Sequence, residues 1–168
     1  MSQQQHQSEI VALALGSNLG DRLAALRAAV EALAPHLAVE RKSAIYETPP
    51  AYVADQPAYL NAVITGTTKL EPLHLLQTLK QIETSLGRKE SFRYGPRLID
   101  IDILFYGERQ LITPQLTVPH PRLSEREFVL RPLADIAGDW RHSLSGMTVD
   151  AMLAALPQQT AQRTGDRL

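Results

Sequence analysis

Six consecutive apolar residues, Ile10 to Leu15, stand between a polar start and the turn-rich stretch Gly16-Ser17-Asn18-Leu19-Gly20-Asp21. A run that short, closed by turn residues, predicts a buried strand. Leu23, Leu26, Val30 and Leu33 then recur at helical spacing until Pro35 stops the pattern, with Asp21 placed to cap the helix. Val39 to Tyr46 predicts a weaker second strand. It runs into Glu47-Thr48-Pro49-Pro50 and a loop reaching Gln56-Pro57, where prolines forbid regular pairing. Tyr59 to Thr68 is strand-like again. Pro72 occupies the helix position that tolerates proline best, and Leu75, Leu76, Leu79, Ile82 and Leu86 mark one face up to a closing Gly87. After an irregular stretch from Arg88 to Arg97, Leu98 to Phe105 alternates as a strand. The order β-α-β-β-α-β predicts an α+β chain of ferredoxin-like arrangement, with two helices packed on one face of an antiparallel sheet.

The last third predicts additional short elements. Pro119, Pro121 and Pro132 interrupt it, and Ser124 with Glu127 resembles a capping box before Phe128-Val129-Leu130. A last helix is predicted from Thr148 to Leu156, and the polar residues from Pro157 to Leu168 read as a loose tail. A length of 168 residues fits one core, so residues 1–8 read as a polar extension, 9–156 as a single domain and 157–168 as the tail.

Composition removes several function classes. With 17 Lys+Arg against 18 Asp+Glu, the formal charge of -1 gives no overall field toward nucleic acid or an anionic membrane. Cysteine is absent, which excludes disulfides and thiolate sites and fits a reducing, cytoplasmic setting. Met1 to Ser8 has no signal-peptide pattern, and the longest apolar runs, Ile10 to Leu15 and Ala151 to Leu156, are six residues each, far below the roughly 20 that cross a bilayer. The expectation is a soluble monomer with neither nucleic-acid nor membrane partners.

Candidate chemistry sits near the strand at 98–105. Side chains two apart share a face, so Ile99, Ile101, Ile103 and Phe105 are expected on one side and Asp100 with Asp102 on the other. The two aspartate Cα atoms would lie about 6.5 Å apart. That spacing lets both carboxylates reach one Mg²⁺ or share two. Alone, the pair reads first as the solvated face of an edge strand. Upstream, however, Arg88, Lys89, Arg93 and Arg97 face a single acid, Glu90, a local excess of three positive charges. Arginine forks grip phosphate oxygens, and a cationic loop beside a metal site suits phosphate transfer. Tyr59 and Asn61 share a strand face, setting an aromatic plane beside an amide that can read a heterocycle's edge. Alone, that pair reads first as ordinary sheet packing. His120, held between Pro119 and Pro121, could bond a phosphate. The Gly16 to Asp21 loop matches neither the dinucleotide fingerprint nor the phosphate loop.

Taken together, Ala14-Leu15-Gly16-Ser17-Asn18-Leu19-Gly20, Tyr46-Glu47-Thr48-Pro49-Pro50, Asp55-Gln56-Pro57-Ala58-Tyr59-Leu60-Asn61, Gly95-Pro96-Arg97-Leu98-Ile99-Asp100-Ile101-Asp102 and Val118-Pro119-His120-Pro121 resemble the 6-hydroxymethyl-7,8-dihydropterin pyrophosphokinases. The matching blocks lie in order between residue 10 and about residue 135. The resemblance implies a catalytic domain of ferredoxin-like fold that moves the β,γ-diphosphate of ATP onto the pterin hydroxymethyl group in folate biosynthesis, with two Mg²⁺ ions. It implies Asp100 and Asp102 as metal ligands, and Arg88 and Arg97 as catalytic arginines. Tyr59 and Phe128 would sandwich the pterin, while Asn61 and the Thr48-Pro49-Pro50-Ala51 backbone would read its edge. Glu83, Arg88, Arg93, Tyr94, Arg97, Ile103, Thr117, His120 and Arg126 would line the ATP site.

Overall fold

The computed structural model describes residues 7–88, 92–157 and 159–168. Lys89 and Glu90, two of the loop charges singled out above, and most of the polar N-terminal extension lie outside the described residues. Strand β1 (Glu9–Ser17) leads to helix α1 (Arg22–Leu33), then to β2 (Ala38–Lys42), β3 (Tyr46–Thr48) and β4 (Tyr59–Thr68). Helix α2 (Pro72–Ser85) returns the chain to β5 (Asp100–Tyr106), followed by the short pair β6 (Leu111–Ile112) and β7 (Thr117–Val118). A 3-10 turn at Leu123–Glu125, α3 (Glu127–Ala137), α4 (Val149–Ala154) and β8 (Gln162–Arg163) complete the chain. The main sheet runs β5-β1-β4-β3-β8, with β2 also paired to β4, and every pairing is antiparallel. Among the described residues no helix is long and apolar enough to cross a membrane.

Helices cover both faces of the sheet, which explains why β1 reads as a continuous apolar run. Val11, Leu13 and Leu15 pack on one face with Leu26, Leu33, Leu75 and Leu79 of α1 and α2. Ala12 and Ala14 point the other way, toward Leu130, Leu133 and Met152 of α3 and α4. Large residues therefore face the first pair of helices, and small ones face the second. Truncating a wholly buried leucine such as Leu79 to alanine is expected to cost about 2–5 kcal/mol.

Local signals explain the helix ends. The Asp21 carboxylate accepts from the Ala24 amide at 3.1 Å and caps α1. Pro72 opens α2, and Gly87, at φ +99, turns the chain away after it. Helix α3 runs through Pro132, where the sequence suggested an interruption. Proline inside a helix costs about 3 kcal/mol, whereas burying an aliphatic side chain returns about 1.5–3 kcal/mol. Val129, Leu130 and Leu133 are all buried, so packing wins.

Several expectations need correction. The strand expected from Val39 to Tyr46 is divided at Ser43, whose amide donates to the Val63 carbonyl while its Oγ accepts from the Val63 amide. A hydroxyl thus takes the place of a ladder carbonyl. The face expected for Phe105 is also wrong. Register shifts between β1 and β5 so that Ala12 pairs Phe105 while Leu13 pairs Ile103. This bulge turns Phe105 onto the α3 face, where its ring meets Trp140 edge-on at 6.0 Å. The expected capping box is absent: Ser124 sits in the 3-10 turn, and Glu127 accepts from the Thr160 and Ala161 amides instead. Beyond Pro157, where the sequence suggested a loose tail, β8 pairs with β3 and Arg27 donates twice to the Arg167 carbonyl.

Candidate active site

Pairing places Asn61 and Asp100 on opposite sides of Gly16, and Asp102 opposite Ala14. Because β1 carries only Ala14 and Gly16 there, the strand leaves open floor between its neighbours. A Cβ on Gly16 would come within 3.1 Å of Asn61 Oδ1 and 3.5 Å of the Tyr59 ring. Over this floor opens a cavity of about 150 Å³. Thr48, Pro49, Ala51, Tyr59, Asn61 and Phe128 line it. Arg88, Tyr94, Arg97, Asp100, Asp102 and Arg126 line it as well.

The part of the cavity around Asn61 and Tyr59 is ordered from within. Asn61 is buried and its amide donates to Thr48 Oγ1 at 2.6 Å, a bond that fixes which amide edge faces the cavity. Burial, and after it the Asp100 carboxylate, raises the Tyr59 hydroxyl above its ordinary value, so the ring stays neutral. Arg126 lies over the Phe128 ring at 5.4 Å and donates through Nε to the Tyr52 hydroxyl at 3.0 Å.

The carboxylate side is charged and only partly compensated. Arg88 donates to Asp100 Oδ1 at 3.0 Å and also to the Glu83 carboxylate. Glu83 is buried and accepts the Ile101 amide at 2.9 Å, which pins the strand between the two aspartates. Burial raises the Glu83 carboxyl, while its bonds to Ile101 and Arg88 work the other way. Burial first, then Asp100, pushes the Asp102 carboxyl up to about 7. A carboxylate pair in that condition is relieved by a proton or by a cation. Among the described residues no group of three or more metal-ligating side chains exists, so Asp100 and Asp102 would need phosphate and water oxygens to complete a shell. That donor set fits Mg²⁺, a hard cation that keeps waters and binds through one or two carboxylates plus substrate phosphates.

Not every expected residue lines the cavity. Glu83 is joined to Asp100 through Arg88, and Arg93 sits against the Tyr94 ring at 5.0 Å. Ile103 is buried in the core beneath α1 and α2, and Thr117 belongs to the short β6-β7 pair. His120 accepts the Arg122 amide through Nδ1 at 3.2 Å; burial and the charges of Arg126 and Arg122 lower it to about 4, so it is neutral near pH 7.

Sequence reasoning gave no role to Tyr52, Gln56 or Asn18, and all three matter. Asn18 is buried; its amide donates to Gln56 Oε1 at 3.0 Å and the Pro57 carbonyl at 3.1 Å, while its Oδ1 accepts the Arg97 amide at 2.8 Å. Gln56 in turn donates to the Tyr94 carbonyl at 2.9 Å. One buried amide therefore joins three loops. Above it, the Tyr52 and Tyr94 rings stack at 4.4 Å, with Arg122 over both. Asn18 and Gln56 lie in the sequence blocks quoted above; Tyr52 stands in an irregular loop with no pattern to mark it.

A family model described as 7,8-dihydro-6-hydroxymethylpterin-pyrophosphokinase (HPPK) matches residues 12–138. A Methylorubrum extorquens protein named 2-amino-4-hydroxy-6-hydroxymethyldihydropteridine pyrophosphokinase is 45% identical over 153 residues, covering 90% of this chain and 96% of that protein. An Arabidopsis thaliana folate synthesis bifunctional protein is 49% identical over 132 residues, 77% of this chain, and this chain spans only 27% of its length. A crystal structure of Plasmodium falciparum HPPK-DHPS superposes with a TM-score of 0.75 at 17% identity, covering 90% of this chain and 46% of that one, a likeness of fold. With a model match over most of its length and a relative covered almost end to end, the chain belongs to the 7,8-dihydro-6-hydroxymethylpterin-pyrophosphokinase family.

Proposed function

We propose that this chain transfers the β,γ-diphosphate of ATP to the hydroxymethyl oxygen of 6-hydroxymethyl-7,8-dihydropterin, releasing AMP. The observation that carries the reading is a single cavity in which an aromatic and amide wall meets a carboxylate pair and arginines. Neither half alone would favour a group transfer between a flat heterocycle and a polyphosphate.

Tyr59 and Phe128 would hold the pterin ring, with Asn61 and the backbone at 48–51 reading its edge. Asp100 and Asp102 would hold Mg²⁺, two ions in the family's manner, and the metal would neutralise and align the triphosphate. Arg88 and Arg97 would take up the charge that develops as AMP leaves, and the hydroxymethyl oxygen would attack the β-phosphorus in line. Arg126 and Tyr94 border the same space and suit the nucleotide side. We assign Glu83 to holding Arg88 and the Ile101 amide, and Arg93 to backing Tyr94. Thr117 and His120 would contact ATP from the margin of the cavity, and Ile103 only through its backbone. The strand order, with α1 and α2 on one face, we read as a ferredoxin-like core whose second strand is split into β2 and β3.

Incubation of the purified protein with ATP, Mg²⁺ and 6-hydroxymethyl-7,8-dihydropterin tests this reading. AMP that requires both the pterin and the metal is the expected product. Formation of ADP would indicate attack at the γ-phosphorus and a different kinase, and absence of turnover would leave a ligand-binding module.

A further inference from the structure

Residues 159–164 lie beyond the family match, yet they connect to both the Thr48 and the Phe128 walls of the cavity. At the first wall, β8 pairs with β3, setting Arg163 opposite Tyr46 and Gln162 opposite Glu47. The Thr164 amide adds a bond to the Ile45 carbonyl at 2.9 Å. The next residue of β3 is Thr48, whose hydroxyl accepts from Asn61. At the second wall, Glu127 immediately precedes Phe128. Both of its carboxylate oxygens are occupied by this segment: Oε1 accepts from the Ala161 amide at 2.8 Å and Oε2 from the Thr160 amide at 2.7 Å. Arg131, one helical turn further on, donates to Gln159 at 2.9 Å.

Between the segment and the loop at 48–52 runs an open cleft of about 610 Å³. The two are therefore not packed together along that stretch, and the coupling runs through the ends: β8 to β3, and Glu127 to the amides of 160 and 161. Charge-assisted bonds from amides to a carboxylate are the stronger kind and are directional, so they fix relative position as well as adding stability.

We propose that residues 159–164 form a strap that sets the spacing between the Thr48 and Phe128 walls, with Glu127 as a positioning residue for acceptor binding. The inference rests on the reading of that cavity as the pterin site. It assigns the strap to acceptor affinity far more than to ATP affinity, because Arg88, Arg97 and the aspartates are attached to other elements and, of the residues given to the nucleotide side, only Arg126 adjoins Glu127.

The test uses the full chain carrying Glu127→Ala, which frees both amides, and separately Thr164→Pro, which removes the bond to Ile45. Pterin and ATP affinities are measured by titration, together with amide hydrogen exchange of the ligand-free protein. Either variant is expected to weaken pterin binding about tenfold, with ATP binding held within about twofold. Exchange should rise at residues 44–51 and 126–130 and stay unchanged at 100–106. Glu127→Gln keeps one acceptor and should fall between wild type and Glu127→Ala. Equal weakening toward both substrates, with exchange rising throughout, would reduce the strap to general stability; unchanged pterin affinity and exchange would overturn it. Should wild type not bind the pterin, the proposed function fails, and exchange still decides the strap: a rise confined to those two segments supports it, and no rise rejects it.

Discussion

Thr48, Asn61, Asp100 and Asp102 enter the cavity from strands β3, β4 and β5, whereas Tyr52, Tyr94 and Arg97 reach it from loops. Strand pairing fixes the first group: Gly16 sits between Asn61 and Asp100, and no loop rearrangement alters that spacing. The second group is held by side chains, namely the Asn18 bonds and the Tyr52-Tyr94 stack. Aromatic stacking adds about 0.5–1.5 kcal/mol, little enough for thermal motion to break and remake it. On the proposed function, the carboxylates that would meet a metal stand on the stiff half, and the residues that would admit and cover substrates stand on the soft half.

The largest expected effect breaks the stiff half. Asp102→Ala should lower AMP formation by about 10³-fold or more, as loss of a group that organises transition-state charge does, with far-ultraviolet circular dichroism unchanged. Next, Asn61→Leu leaves the buried Thr48 hydroxyl without its partner and removes the amide edge. Pterin affinity should fall about 100-fold, read by titration, with ATP affinity retained.

Two changes address the soft half. Asn18→Ala removes three bonds that join the loops and should lower unfolding free energy in denaturant by about 2–3 kcal/mol. Tyr52→Ala removes the stack, its arginine contacts and the exposed hydroxyl bond to Glu125. Turnover should drop about fivefold through KM while the melting temperature stays within about 2 °C. A larger loss from Tyr52→Ala than from Asn61→Leu would reverse the assignment of stiff and soft halves.

The smallest effect is a sign. Asp102, raised from 3.8 to about 7, binds its proton more tightly when folded, so stability of the metal-free protein falls as pH rises from about 4 to 7. His120, lowered from 6.5 to about 4, acts oppositely, with stability falling as pH drops from 6.5 toward 4. Asp102→Asn removes the first contribution. Its melting temperature in the absence of metal should exceed that of wild type by a margin that widens between pH 4 and 7 and then levels.

Much of the stiff half was legible. The bounds of β4 and the opening of α2 follow from period and from Pro72, and the Asp-Ile-Asp alternation puts both carboxylates on one face before any pairing is known. What escaped was whatever depends on a distant partner. The turn of Phe105 onto the other face arises from a register shift against β1, and the split of the second strand arises from Ser43 meeting Val63. Neither leaves a mark on local periodicity. The soft half carries no period at all, so Tyr52 and the joining role of Asn18 appear only once the loops are folded together. Docking of the tail is the same kind of case, since Gln162 and Arg163 become a strand only because β3 offers an edge.

The most direct test of diphosphoryl transfer follows the phosphorus. With ATP labelled at the β-phosphorus, the account predicts that the label leaves the nucleotide and appears in the pterin product, while unlabelled AMP accumulates. Label that stays with the nucleotide while the pterin becomes phosphorylated would contradict it.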